Sequence, residues 1–164
     1  MERSPDRFTT ADLCDEFGSL VRVAEPLFKD YGGIGSFSGQ ITTIRVFEDN
    51  VLVREALEEE GGGRVLVVDG GGSSRCALLG DKLTRMAHEH GWSGIVVNGG
   101  VRDCAELAMV PVGVKALHAV PRRSGKEGVG DRDVPLSFAG ISLEPGNYFY
   151  ADADGIVVAE RDLL

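Results

Sequence analysis

Three charged residues stand just past glycines in the middle of this sequence, and their types suit chemistry beside a carboxylate. Asp81 follows Gly80, and Arg102-Asp103 follows Gly99-Gly100-Val101. Asp103 is a hard oxygen ligand suited to Mg²⁺ or Mn²⁺, ions that keep several waters and share their other positions with substrate. Arg102 can grip a carboxylate or carbonyl oxygen with its planar fork. Asp81 can move a proton, directly or through a water. A cation chelated by the carboxylate and keto oxygen of a 2-oxo acid acts as a Lewis acid on a developing enolate. Those are the parts for cleaving a bond next to a pyruvate unit. On spacing alone a plainer role is favoured: both acids suit the first turn of a helix, where the dipole attracts negative charge, with Arg102 as a surface partner.

Such residues need strand ends to carry them. The unbroken apolar runs at 65–68 and 95–97 predict two strands buried on both faces. Between them, residues 80–90 predict a helix with Leu83, Met86, Ala87 and His90 on one face and Gly91 after it. Strand, helix, strand in that order implies a right-handed crossover and a locally parallel sheet. Asp69-Gly-Gly-Gly72 and Asn98-Gly-Gly100 then predict turns at the C-terminal strand ends, where open α/β sheets bind ligands. Glycines let backbone approach a ligand closely, and the free N–H groups of a helix's first turn attract an anion. A short helix is expected from Arg102 to about Met109, with further strands at 112–120, 136–143 and 155–159.

Upstream, Thr9 and Thr10 can cap a helix that buries Leu13 and Phe17 and stops at Gly18. A strand at 21–24 ends before Pro26, and a loop holding Gly32, Gly33 and Gly35 follows. Residues 39–47 alternate as a strand, but the alternation slips between Thr43 and Ile44, which predicts a bulge. Asn50 is placed to cap a helix over 51–60. With neither repeat nor linker visible, a single domain over residues 1–164 is expected.

Composition narrows the function classes. A chain of 164 residues can bury roughly 70% of its unfolded surface without disulfides or a structural metal. Its 23 glycines and 7% aromatic content suit a β-rich α/β domain with many tight turns. A net charge of −9 argues against a direct nucleic-acid binder, since no broad basic surface is available to displace counterions. No apolar run approaches a membrane span, and the start MERSPDRF is too polar for a signal peptide, so a cytoplasmic address is expected. Cys14, Cys76 and Cys104 are widely spaced and read as free or buried thiols. Gly-x-Gly-x-x-Gly is absent, which speaks against a Rossmann-type cofactor. His88 and His90 face different ways on one helix, and His118 reads as packing within a strand. The run Arg122-Arg-Ser-Gly-Lys126, with Gly128 and Gly130, could hold an anion, but such a loop more often is simply solvated and mobile, though it can border the active site.

Several motifs carry a resemblance that spans nearly the whole chain. Val65-Leu-Val-Val-Asp-Gly-Gly-Gly72, Ala77-Leu-Leu-Gly-Asp81 and Gly99-Gly-Val-Arg-Asp103 resemble the family shared by class II 4-hydroxy-4-methyl-2-oxoglutarate aldolases and the regulator of ribonuclease activity A. So do Ala24-Glu-Pro-Leu-Phe28 with Tyr31-Gly-Gly33, Phe47-Glu-Asp-Asn50, and Tyr150-Ala-Asp152 with Asp154-Gly-Ile156. The aldolase signature is an Asp, a fixed spacer and Arg-Asp, which Asp81 and Arg102-Asp103 reproduce with residues 82–101 between them. The resemblance implies a swivelling β/β/α fold with mixed sheets around a central parallel βαβ unit. It implies a homotrimer, or a dimer of trimers, with sites between subunits.

By the same resemblance Asp103 is the metal-site acid for Mg²⁺ or Mn²⁺, and Arg102 the contact to substrate and enolate. Backbone around Gly80, Asp81, Lys82 and Leu83 is the carboxylate cradle, and Asp81 the acid/base residue. The implied function is a lyase that cleaves 4-hydroxy-4-methyl-2-oxoglutarate or decarboxylates oxaloacetate. The sequence ends at Leu164, short of the C-terminal extension of longer aldolases, which makes simple decarboxylation a serious candidate. The alternative is a non-catalytic regulator that binds ribonuclease E or a helicase. Regulator-type members commonly lack the acids kept here.

Overall fold

The computed structural model describes residues 7–164. The first six residues, part of the polar start read above as no signal peptide, lie outside them. Helix α1 (Thr10–Phe17) and strand β1 (Val21–Val23) open the described chain. The side chain of Thr9 accepts from the N–H of Asp12, and Gly18 ends the helix at φ 52°. Short β2 (Lys29–Asp30) precedes the long β3 (Phe37–Arg45), α2 (Val51–Leu57) and β4 (Val65–Asp69). Then come β5 (Ala77–Leu79), α3 (Asp81–Glu89), β6 (Gly94–Val101), α4 (Cys104–Leu107) and β7 (Gly113–Ala119). Strands β8 (Asp131–Arg132), β9 (Leu136–Phe138), β10 (Ile141–Leu143), β11 (Tyr148–Asp152) and β12 (Gly155–Ala159) complete the order.

One mixed sheet runs β1-β12-β11-β3-β4-β6-β7-β2, with β5 added beside β6 and β8 beside β3; β9 and β10 form a separate hairpin. The centre β3-β4-β6-β7 is parallel, as the strand–helix–strand reading predicts. Its strands are buried on both faces because their apolar residues divide between two layers. Leu66, Val68, Ile95 and Val97 face α2 and α3, meeting Val53, Leu57 and Leu83. Val65, Val67 and Val96 face the other way, onto Leu136, Leu143 and Phe149. Leu13 of α1 packs separately against Tyr150 and Val157. Among the described residues no helix is long and apolar enough to cross a membrane.

Several expectations need correction. Strand β3 has no bulge where its alternation slips. It changes partners instead: residues 37–40 pair antiparallel with β11, and residues 41–45 pair parallel with β4. Ile41 to Ile44 are consequently buried on both sides, and alternation disappears. Asn50 makes no side-chain cap to α2, which ends at Leu57 rather than residue 60. The Asp49 carboxylate caps it, accepting from the N–H of Val51 at 3.1 Å. Strand β6 runs through Asn98-Gly-Gly100 rather than ending there, with only a register shift against β7 between Val97 and Gly100. Helix α4 is confined to residues 104–107, the 136–143 strand is a hairpin broken at Ala139-Gly140, and β2, β5, β8 and β11 were not anticipated.

The sheet's two layers are locked by one aromatic. Phe37 stacks on Phe149 at 5.6 Å between ring centroids. Its ring lies over Gly94 and Gly113, the first residues of β6 and β7, where an added Cβ would collide with ring carbons. Gly113→Ala is expected to cost about 1–3 kcal/mol through overpacking. Urea denaturation measures this, and Phe37→Leu in the same background should recover part of the loss.

Candidate active site

The pairing of β5 with the end of β6 brings the charged residues together. Ala77 and Leu79 sit opposite Gly100 and Val101, and the N–H of Arg102 donates to the carbonyl of Leu79 at 2.9 Å. The segments that leave these strands, Gly80-Asp81 and Arg102-Asp103, therefore run side by side. Asp103 takes a left-handed conformation (φ 62°, ψ 45°), which Asp tolerates better than most residues. Its Oδ2 accepts from the N–H of Asp81 at 3.0 Å, so it caps α3 from across the site. Gly80 makes this approach possible: a Cβ there would lie 2.7 Å from the same oxygen.

Asp81 is held from its other side. Both terminal nitrogens of Arg85, one helical turn along, donate to Asp81 Oδ2 at 2.7 and 2.8 Å. The hydrogen bond from the Asp81 N–H lowers the Asp103 carboxyl below the usual carboxylate range. Burial opposes that shift, while a hydrogen bond with the Asp81 side chain and the charges of Arg102 and Arg85 support it. Asp103 is thus ionised at neutral pH.

These residues line a cavity of about 520 Å³. Gly80, Asp81, Lys82, Leu83, Arg102 and Asp103, every site residue expected from the sequence, are found in its wall. The N–H groups of Lys82 and Leu83 belong to the first turn of α3, which leaves them without an intrahelical partner. In the opposite wall, Arg123, Ser124 and Lys126 belong to the loop after β7, which reads from sequence as able to border the site; sequence reasoning missed Asn50, Arg54, Glu55 and Glu58 from α2 and its approach. It also missed Arg85, although the i,i+4 spacing from Asp81 was a usable signal. Five basic and four acidic side chains line the cavity, against 17 and 26 in the whole chain. The cavity is cationic relative to the rest of the molecule and suits an anion.

The triglycine turn, by contrast, is outside this wall. Asp69 Oδ1 accepts from the N–H of Gly71 and from Asn98 Nδ2, both at 2.9 Å, so the turn is closed on itself. His118 and His90 are engaged with backbone carbonyls of Ser73 and Leu57, in keeping with packing roles. The three cysteines are free thiols. Among the described residues no three His, Cys, Asp or Glu side chains gather as a metal cage. The donor set here is one ionised carboxylate with a second beside it. That is too sparse for Zn²⁺ but fits Mg²⁺ or Mn²⁺, which bind through one or two carboxylates and retain water.

The fold and cleft define an α/β protein with a cavity of net cationic lining at two strand ends, and comparison with known proteins gives its kinship. The family model described as RraA-like, Aldolase/RraA, matches residues 10–158, and the chain belongs to that family. A protein of Alkalilimnicola ehrlichii, provisionally named 4-hydroxy-4-methyl-2-oxoglutarate aldolase, is 57% identical over 94% of this chain and 96% of its own. The solved structure of the RNA-processing inhibitor RraA from Thermus thermophilus superposes with a TM-score of 0.93 at 49% identity, covering 96% of each chain. A Geobacillus kaustophilus structure, described as an S-adenosylmethionine:2-dimethylmenaquinone methyltransferase, superposes at 0.94 with 56% identity, covering 95% of this chain and 97% of its own. Three different descriptions are thus attached to relatives that share one fold.

The far wall is fastened by Asp49, which is 5% exposed. Its carboxylate accepts from the N–H groups of Glu127 at 2.6 Å and Gly128 at 3.0 Å as well as from Val51. Burial alone would raise its pKa, but these donors, with the N–H of Val129, hold it below the usual range. Because the folded value is the lower one, this stabilisation is present above the unfolded pKa and lost as pH falls through the folded pKa. Asp49→Asn should cost about 1.5–3 kcal/mol at neutral pH, the usual worth of hydrogen bonds to a charged group. Thermal denaturation across pH should show the gap to wild type narrowing below about pH 4.

Proposed function

We propose that this chain is a divalent-cation-dependent carbon–carbon lyase that releases pyruvate from 2-oxo acids, by aldol cleavage of 4-hydroxy-4-methyl-2-oxoglutarate, decarboxylation of oxaloacetate, or both. The observation that carries this reading is the convergence of Asp81, Arg102 and Asp103 on one cationic cavity through the β5–β6 pairing. Asp103 would hold Mg²⁺ or Mn²⁺, and the cation would supply Lewis-acid polarisation of the 2-oxo acid.

The chain's own residues account for the remainder. The free N–H groups at the start of α3 receive the substrate carboxylate. Arg102 donates to the oxygen that gains charge as the enolate forms. In aldol cleavage Asp81 accepts the proton of the 4-hydroxyl, directly or through a water, as the C3–C4 bond breaks. One product is pyruvate carrying the new carbonyl; the other is the pyruvate enolate, which takes a proton at C3. In decarboxylation the bond to the departing carboxylate breaks instead, carbon dioxide leaves, and the same enolate is protonated. Arg85 orients Asp81 for this work by its two hydrogen bonds.

The methyltransferase description of the Geobacillus relative finds less support here, since Gly-x-Gly-x-x-Gly is absent and the Asp69-Gly-Gly-Gly72 turn is closed on itself. A regulator of a ribonuclease is the second reading, favoured by the 49% identity to the Thermus inhibitor. The acid pair weighs against it, because a binding protein has no chemical need for two carboxylates and an arginine at these positions. A homotrimer is part of our proposal: the cavity is bordered by exposed segments such as 121–126, and a neighbouring copy would close it.

Pyruvate release from both substrates, in Mg²⁺ or Mn²⁺ and in excess chelator, tests the reading. Activity should vanish with chelator and in Asp103→Ala. Arg102→Ala should lose about 1.5–3 kcal/mol of transition-state stabilisation, and Arg102→Lys should restore little because a point charge cannot reproduce the fork. Asp81→Asn should suppress aldol cleavage more than decarboxylation, which needs no hydroxyl deprotonation. Wild-type protein inert with both substrates, yet binding a ribonuclease tightly, would overturn the ranking. A stable, fully active monomer in light scattering would remove the trimer.

A further inference from the structure

The segment 121–128 crosses the cavity mouth and is held along its length. The carbonyl of Arg122 accepts from the N–H of Ala77 at 2.8 Å, and the N–H of Gly125 donates to the carbonyl of Glu48 at 2.8 Å. Asn50 N–H donates back to the carbonyl of Gly125 at 3.3 Å. Beyond these, the buried Asp49 carboxylate takes the N–H groups of Glu127 and Gly128. A loop that reads from composition as solvated is therefore a strap, anchored on β5 at one end and on the turn before α2 at the other.

The strap carries two cations without an ion-pair partner among the described residues. Arg123 and Lys126 line the cavity and make no ion pair or side-chain hydrogen bond among the described residues. Elsewhere in this acidic chain arginines are mostly engaged: Arg75 on Glu48, Arg132 on Glu59, Arg85 on Asp81, Arg54 on Glu58. Two free cations facing a cavity, in a protein of net charge −9, are spent on something that enters it. Arg102 and the first turn of α3 already account for one carboxylate and its keto oxygen. A long contact from Arg102 Nη1 to the carbonyl of Pro121, at 3.5 Å, ties that end to the start of the strap.

We propose that the strap, fastened by Asp49, forms the subsite for the second carboxylate of a dicarboxylic 2-oxo acid, with Arg123 and Lys126 as its cations. This rests on the lyase reading for the direction in which substrate lies, but the subsite is defined by binding and is measurable without turnover. Arg123 and Lys126 act on affinity and substrate choice; Asp49 is a positioning residue that acts through them.

Calorimetric titration of the full chain in Mg²⁺ with 2-oxoglutarate and 2-oxopentanoate, which differ in the terminal carboxylate, reads the subsite directly. Arg123→Ala and Lys126→Ala should each weaken 2-oxoglutarate about tenfold to a hundredfold, the worth of a charge-assisted hydrogen bond. Binding of 2-oxopentanoate should stay within about twofold. Asp49→Asn should shift the balance the same way. The kinetic counterpart compares 4-hydroxy-4-methyl-2-oxoglutarate with 4-hydroxy-4-methyl-2-oxopentanoate, which would cleave to pyruvate and acetone. Its expected signature is a raised KM for the dicarboxylate alone. Equal losses for both ligands, or no loss in either cation variant, would overturn the subsite while leaving the lyase standing. Selective binding loss in a wild type that cleaves nothing would sink the lyase and keep the subsite. A wild type that binds neither acid would overturn both.

Discussion

The site depends on a carboxylate being accepted where a side chain would ordinarily stand. Asp103 Oδ2 reaches the N–H of Asp81 across a gap that only a glycine at position 80 leaves open. That contact favours the ionised form of Asp103, caps α3, and sets the two acids and Arg102 side by side in one step. It exists only because β5 lies parallel beside the end of β6 and holds the two outgoing segments in line. The apolar centre serves the same end, since Val65 to Val68 and Ile95 to Val97 fill both layers and give those strand ends a rigid base.

A second carboxylate does for the far wall what Asp103 does for the near one. Asp49 is nearly closed to solvent and gathers backbone N–H groups from α2 and from the strap. Backbone donors satisfy an ionised carboxylate without bringing a countercharge, so Asp49 spends none of the cations that the cavity needs. The result is a molecule acidic overall whose site cleft is not, an arrangement suited to an anionic ligand.

The sequence made some of this legible and hid the rest for identifiable reasons. The central strands were readable because both faces are buried and no polar residue interrupts them. Asp81, Arg102 and Asp103 were readable because charge next to glycine after an apolar run marks a strand end, and the family resemblance then supplied their roles. Strand β5 was hidden, since three apolar residues before a helix look like its lead-in. Asn98-Gly-Gly100 was misread as a turn: glycines signal bends, yet here they let β6 pass close to Cys76 and continue beside β7. Asp49 was readable at most as a helix cap, because its partners in the strap are backbone groups nearly eighty positions away. For the same reason Arg123 and Lys126 looked like residues of a solvated loop.

The relatives' three descriptions can be weighed with this physics. A protein that acts only by its surface gains a helix cap from Asp103, but it also bears the repulsion of the neighbouring Asp81. Arg85 and Arg102 offset that repulsion, but a neutral pair would need no offset. Two acids set beside two arginines suit a cleft that receives a cation and an oxyanion at once, as the lyase proposal requires. A 2-oxo acid with its divalent cation is the simplest ligand that presents both, and this is what the charges add to the lyase reading we propose.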